Sequence, residues 1–295
     1  MNPLAKRQLP IHHHITDPLF RKAVDLLDAG NVQDLAHHLD RHPDLLASSA
    51  MFSETSFPHG NRPDQYFYRP KLLWFVAENP IRNKALPDKI DDVAQCIINK
   101  QRIHSPETLQ HDLDYTLELV VSGCVVRETG KHDALINLLI RNGASVNCAD
   151  VALAHRELQA VQILLRHEAK MTLAIAAGMG DVNELHRLFD QSDAETRLKA
   201  LASAAINGQS GACQFLVDHD VNPSQFNPDG FLGHCTPLHN AINSGDPETV
   251  RVLLGAGVDT KLKDKMFDRN ALGWALHLEC DQIAHLIEEA RDSEA

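Results

Sequence analysis

Apolar residues recur every three or four positions in short segments, and these segments come in pairs separated by turn residues. The clearest pair joins residues 236–244 to residues 247–255 across Gly245. This periodicity predicts amphipathic helices. Similar pairs start near residues 18, 70, 114, 149, 171, 199, 236 and 270, which predicts about eight helix pairs. Because one pair cannot bury its own apolar stripe, the pairs must stack on one another.

The later pairs share a leucine at the same position of their first helix. These leucines are separated by 28, 37 and 34 residues, and they are Leu173, Leu201, Leu238 and Leu272. The short spacing predicts a trimmed connection between the first two of these pairs. The long spacing predicts an enlarged loop, which we place at residues 226–235.

The unit at residues 229–259 contains the strings TPLHNAINSG and VRVLLGAGVD. It resembles an ankyrin repeat, which carries a T-P-L-H-x-A signature and has a period of about 33 residues. Residues 69–82 and 226–230 are similar to a subgroup of bacterial ankyrin-repeat proteins. The resemblance implies a divergent, bacterial-type ankyrin-repeat domain-containing protein. Its fold would be an all-α ankyrin-repeat solenoid of about eight stacked helix pairs, with irregular loops and an insertion near the N-terminus.

The predicted layout has four parts. Residues 1–47 form an N-terminal segment and a capping helix pair, and residues 48–130 form divergent repeats with an insertion rich in aromatic residues and proline. Residues 131–290 form ankyrin repeats, and residues 291–295 form an acidic tail.

Composition narrows the function classes. The net charge of −12, the pI of 5.8 and the lack of a Lys/Arg run argue against a nucleic-acid partner. The longest apolar stretch, near residues 117–126, is too short to cross a membrane. The six cysteines form no C-x-x-C pair, which predicts buried free thiols in a reducing compartment. With no signal-peptide core at the N-terminus, we expect a cytoplasmic protein without a membrane contact.

Two histidine groups are candidate metal ligands. Residues 12–14 are consecutive histidines, and His234 and Cys235 lie close to His239. For residues 12–14 the favoured interpretation is a solvated N-terminal segment, since adjacent side chains diverge and no second ligand cluster is present. For the second group it is structural, since the signature histidine of ankyrin repeats bonds within its own turn. We therefore expect no metal and no cofactor.

Cysteine nucleophiles are a second possibility for chemistry. Cys124 and Cys213 could pair with a histidine close in space. Cys213, however, falls on the apolar stripe of a second helix, which favours a core position. No G-x-S-x-G, Gly-rich phosphate loop or H-E-x-x-H element is present, so we predict a protein that is not an enzyme.

Aromatic and polar residues of the predicted fingers and enlarged loops are the partner-binding candidates. The primary candidates are Phe231, His234, Phe267, Arg269 and Asn227, and the secondary candidates are Tyr66, Phe67 and Tyr68. The alternative is that these aromatic residues fold back onto the stack. The two interpretations are balanced for Phe231 and Phe267, and packing is favoured for residues 66–68.

The resemblance implies a non-catalytic protein–protein interaction module. It would bind an unidentified protein, favoured to have a basic surface, through its concave face and fingers. The expected state is a monomer, although the sequence leaves the oligomeric state open. Two alternatives stay open: a small-ligand or enzymatic annexe in residues 48–91, and a secreted effector that binds host proteins.

Overall fold

The computed structural model describes residues 11–52, 69–79 and 81–293. They form two compact units, one ending at Cys148 and the other starting at Ala149. Helices make up all the regular structure in the described ranges, where β contacts are limited to isolated bridges such as Lys263 with Asn270. The predicted all-α fold is confirmed. The boundary proposed at residues 130/131 falls inside the first unit and stays a prediction.

The first unit combines α-helices with short 3-10 helices. Its α-helices are α1 (Pro18–Asp28), α2 (Val32–Arg41), α3 (Ile90–His104), α4 (Pro106–Val121), α5 (Cys124–Glu128) and α6 (His132–Arg141). The 3-10 helices are Ile11–His14, Pro43–Leu46 and Leu72–Ala77. Helices α1 and α2 lie where a helix pair is predicted near residue 18, and its capping role stays a prediction.

Two predicted helix pairs of the first unit differ from a regular repeat. The segment predicted as a first helix near residue 70 is the 3-10 helix Leu72–Ala77, which ends at Glu78 in the left-handed conformation. The first helix predicted near residue 114 is longer, since α4 starts at Pro106. Helix α4 packs on α6 as expected, but the short α5 interrupts their connection.

A buried ion network fixes the loop after Leu72–Ala77. The Arg82 guanidinium donates to an Asp28 carboxylate oxygen (2.7 Å) and to the Phe75 carbonyl (2.9 Å). It also forms an ion pair with the Glu78 carboxylate, with Nη2 3.0 Å from Oε2. The side chains of Arg82 and Glu78 are fully buried. Glu78 Oε1 also accepts the backbone N–H groups of Arg82 (2.9 Å) and Lys84 (2.7 Å). These bonds satisfy charges that would otherwise be costly to bury.

The second unit consists of consecutive helix pairs. They are α7 (Ala149–Ala154) with α8 (Leu158–Arg166), α9 (Leu173–Met179) with α10 (Val182–Phe189), α11 (Ala194–Ile206) with α12 (Ser210–Asp218), α13 (Pro237–Ser244) with α14 (Pro247–Gly255), and α15 (Ala271–His277) with α16 (Asp281–Ser293). The pairs predicted from residue 149 onward are confirmed. From α9 onward, first helices pack on first helices and second helices on second helices in chain order.

The shared leucine register explains this stacking. Leu173, Leu201 and Leu238 are 2%, 0% and 1% exposed, so each lies inside the stack. Small residues bring the helices close together. A Cβ atom added at Gly178 would lie 2.4 Å from Ser203 Oγ, on the next first helix.

The two irregular connections occur where the leucine spacing places them. Residues 190–193 alone connect α10 to α11, which is the predicted trimmed connection. Residues 219–236 connect α12 to α13 and contain the predicted enlarged loop. Both predictions are confirmed.

Candidate functional site

The finger between α14 and α15 is organised by the carboxylate of Asp264. This carboxylate is buried and accepts the backbone N–H groups of Met266 (2.9 Å), Phe267 (2.6 Å) and Arg269 (3.1 Å). It also accepts the indole N–H of Trp274 at 2.9 Å. Burial alone would raise the pKa of Asp264, but these bonds outweigh it and lower the pKa to about 2. The finger therefore forms around a permanently ionised group at neutral pH.

His239 fastens this finger to α13. Its Nε2 atom lies 3.2 Å from the carbonyl oxygen of Arg269, and its Nδ1 atom lies 2.8 Å from Thr236 Oγ1 and 3.3 Å from Thr236 N. Burial lowers the pKa of His239, which favours the neutral ring. A neutral ring with its proton on Nε2 donates to Arg269 and accepts from Thr236. One side chain thus completes the cap of α13 and holds the next finger.

A groove with a volume of about 420 Å³ lies between this finger and α15, and it is lined by Phe267, Arg269, Trp274, His277 and Leu278. Phe267 is 58% exposed and Leu278 is 39% exposed. The ring centroids of Phe267 and Trp274 are 6.4 Å apart in an edge-to-face arrangement. Since Asp264 already binds the indole N–H, the groove presents the apolar surface of Trp274. Such clustered exposure of large apolar side chains marks interaction sites.

Most of the exposed charged side chains on the same finger are cationic. Arg269 is exposed, and its guanidinium has no hydrogen-bond or ion-pair partner among the described residues. Lys265 is also exposed, with its ammonium 3.9 Å from the ring centroid of Phe226. Lys263 is paired with Asp268 at 2.8 Å. The guanidinium of Arg269 is therefore an unpaired charge on the groove lining.

Three of the predicted candidates lie in or beside this groove. Phe267 and Arg269 line it directly. His234 is half-buried, and its ring centroid is 6.0 Å from that of Phe267. Its backbone carbonyl accepts the N–H of Lys265 at 2.9 Å, which joins the enlarged loop to the finger.

Phe231 and Asn227 do not reach the surface, which corrects their assignment as partner contacts. Phe231 is 0% exposed and Asn227 is 5% exposed. The enlarged loop folds back, and Asn240 of α13 donates to the Phe231 carbonyl at 3.4 Å. Asn227 donates through its backbone N–H to the Cys235 carbonyl at 2.8 Å. Both residues shape the loop. Tyr66, Phe67 and Tyr68 lie outside the described residues.

Sequence reasoning missed three residues of the groove, namely Trp274, His277 and Leu278. The available signal was the leucine register. In that register Trp274 and Leu278 occupy the positions of Asn240 and Ser244 in α13. Helix α15 and its C-terminal cap therefore carry large apolar residues where the preceding first helix has polar ones.

The candidate metal ligands and nucleophiles have structural surroundings. In the described ranges, no group of three His, Cys, Asp or Glu residues could hold a metal ion. Burial raises the pKa of the Cys235 thiol to about 12 and also raises the pKa of Cys213. Neither thiol is therefore an activated nucleophile. Cys124 is exposed at the start of α5, and the side chain of His12 lies outside the description.

No helix among the described residues is both long and apolar enough to cross a membrane. No curated protein matches the chain. A family model described as ankyrin repeats (3 copies) matches residues 172–264, which run from the cap of α9 to the finger carboxylate Asp264. The T-P-L-H-x-A string, the stacked helix pairs and this match agree, and residues 172–264 of the chain consist of ankyrin repeats.

Proposed function

We propose that this protein is a non-catalytic interaction module that binds another protein at the groove beside α15. Ankyrin repeats indicate a protein–protein interaction module. The observation that supports this location is the apolar lining of the groove, with Phe267 58% exposed and Leu278 39% exposed. The occupant we propose is a segment of the partner that inserts a large aliphatic or aromatic side chain between these two residues.

The groove is organised before any partner arrives, which supports a binding role. Asp264 holds the backbone of Phe267 and Arg269, and His239 holds the carbonyl of Arg269. The indole of Trp274 is fixed by the same carboxylate. Because the lining is already ordered, binding loses less conformational entropy than it would at a flexible loop.

A cytoplasmic location is part of the proposal. All six cysteines are free thiols, which is the pattern expected in a reducing compartment.

The proposal is tested by affinity capture from the native cell lysate, followed by binding measurements with the purified partner. The groove variant carries Phe267→Ala with Leu278→Ser. Its matched control is Leu276→Ser, because Leu276 is 59% exposed but does not line the groove. Loss of a large anchor contact typically weakens binding by about tenfold or more.

We expect a protein that the natural chain and the control capture, and that the groove variant loses. Melting temperatures of the three proteins show whether folding is intact. A partner that binds the groove variant as tightly as the natural chain would place the interaction on another surface.

A further inference from the structure

We infer that the groove recognises an acidic-flanked apolar segment, in which a large apolar side chain is seated against Phe267, Trp274 and Leu278 and a neighbouring carboxylate pairs with Arg269. This inference rests on the proposed function and specifies the chemistry of the partner. It differs from the expectation drawn from the net charge of −12, which favours a partner with a basic surface.

The apolar character of the proposed segment follows from the hydrogen bond that Trp274 already makes. Its indole N–H donates to Asp264 at 2.9 Å, so this donor is not offered to a ligand. Phe267 and Leu278 have no polar side-chain atoms, and both are partly exposed at the groove. The part of the ligand that lies against these three side chains must therefore be apolar, since a polar group there would lose water without gaining a bond.

The neighbouring carboxylate of the proposed segment follows from the position of Arg269. Its backbone N–H donates to Asp264 at 3.1 Å, and its carbonyl accepts from Asp264 N (2.9 Å) and His239 Nε2 (3.2 Å). A Cβ atom added at Gly273 would lie 3.5 Å from Arg269 Cβ, so the stem of the arginine passes beside α15. The backbone that carries this exposed and unpartnered guanidinium is thus held in a fixed position at the groove.

Guanidinium and carboxylate groups match in charge and in geometry. The planar fork of arginine donates two parallel hydrogen bonds to one carboxylate. Other charges of residues 263–269 do not cancel this preference at the surface. Asp264 is buried and accepts four hydrogen bonds, and Asp268 is paired with Lys263. Lys265 adds a second exposed cation to the same finger.

The probe for this inference is a displayed library of random peptides, selected against the full chain. The parallel targets are Arg269→Glu, Arg269→Lys, the groove variant, and Lys261→Glu. Lys261 is an exposed cation of the connection from α14 to α15 that does not line the groove, so its reversal is the matched control for charge. Melting temperatures confirm that each target is folded.

The natural chain and Lys261→Glu should select peptides with a large apolar residue beside Asp or Glu. A synthesised selected peptide should bind Arg269→Glu about tenfold or more weakly than the natural chain, and Lys261→Glu within about twofold. Arg269→Lys should keep the acidic preference with a lower affinity, since lysine retains the charge but not the fork. Added salt should weaken binding to the natural chain more than to Arg269→Glu.

The outcomes separate this inference from the proposed function. Peptides that require Phe267 and Leu278 but carry no acidic preference would overturn the inference and leave the groove as a docking site. Selected peptides that bind the groove variant as well as the natural chain would overturn both. A library of large diversity that yields no binder to the natural chain would also count against both.

Discussion

The substitution Asp264→Asn is the sharpest test of how the finger is built. The Asp264 carboxylate accepts three backbone N–H groups and the indole N–H of Trp274. An asparagine side chain has nearly the same shape, but an NH₂ group, which only donates hydrogen bonds, replaces one of the two carboxylate oxygens. The NH₂ group would point at N–H donors and could not accept from them, so at least one of these buried N–H groups would lose its hydrogen bond.

The magnitude follows from the pKa of Asp264, which falls from 3.8 to about 2 on folding. Since one pKa unit corresponds to about 1.4 kcal/mol, the ionised form is stabilised by about 2 kcal/mol. Because the folded pKa is the lower one, this contribution is complete above pH 3.8 and is lost as the pH falls towards 2. At neutral pH we therefore expect Asp264→Asn to lower the free energy of unfolding by about 2 kcal/mol.

The assay is denaturant unfolding at pH 7 in a Trp74→Phe background, in which Trp274 is the only tryptophan. The variant should also shift the emission of Trp274, because the indole loses its bond to the carboxylate. The matched control is Asp268→Asn, a surface change beside it that should cost less than about 0.5 kcal/mol. Equal costs for the two substitutions, or an unchanged Trp274 emission, would refute the organising role of Asp264.

Three further predictions concern stability. Gly178→Ala should lower the free energy of unfolding by about 1–3 kcal/mol, because the new methyl group would lie 2.4 Å from Ser203 Oγ; an equal or higher stability would contradict the close helix contact. Acid should weaken the second unit through His239, whose folded pKa is lowered. The stability from its neutral form is complete above about pH 6.5 and is lost as the pH falls through the folded value. His239→Gln should flatten this part of a stability profile measured from pH 7.5 to 5, and an unchanged profile would exclude His239 as its source. Arg82→Met should destabilise the first unit by about 3–5 kcal/mol, because Glu78 would keep a buried charge without its cation; denaturant unfolding checks this, and a loss below about 1 kcal/mol would contradict the network.

The sequence predicts the second unit well because its physical signals are local and repeated. Leu173, Leu201 and Leu238 recur at one position of successive helices, and each is buried because the next helix must cover it. The spacing between them also gives the lengths of the connections. These signals come from stacking between neighbours, so they can be recognised without knowledge of contacts that are distant along the chain.

The first unit is predicted less well because long-range contacts decide its structure. The segment Leu72–Ala77 has the apolar content of a first helix, but it forms a 3-10 helix and ends at Glu78. Arg82 and Asp28, which are separated by 54 residues, hold the loop that follows. No periodic pattern in the sequence indicates such an ion network. The apolar run can therefore be recognised from the sequence, but its conformation cannot.

Two phenylalanines of the candidate site illustrate the same limit. Phe231 and Phe267 both lie in connections before a first helix, and the sequence does not distinguish them. Phe231 is buried because the enlarged loop folds back onto Asn240 of α13. Phe267 is exposed because Asp264 holds its backbone N–H at the turn of the finger. The direction of each ring is set by hydrogen bonds of its loop, and the apolar character of the ring does not determine it.

Helix stacking does not account for the exposed apolar surface that lines the groove beside α15. Helix α13 stacks between two neighbours while carrying Asn240 and Ser244 at the corresponding positions. Stacking therefore does not require the large apolar side chain of Leu278, whereas Trp274 packs partly against the core of the second unit. Leu278 in particular is 39% exposed, and the exposed part of its apolar surface contributes nothing to folding. Apolar surface that stays in water beside an unpaired arginine is better explained by a partner that covers both.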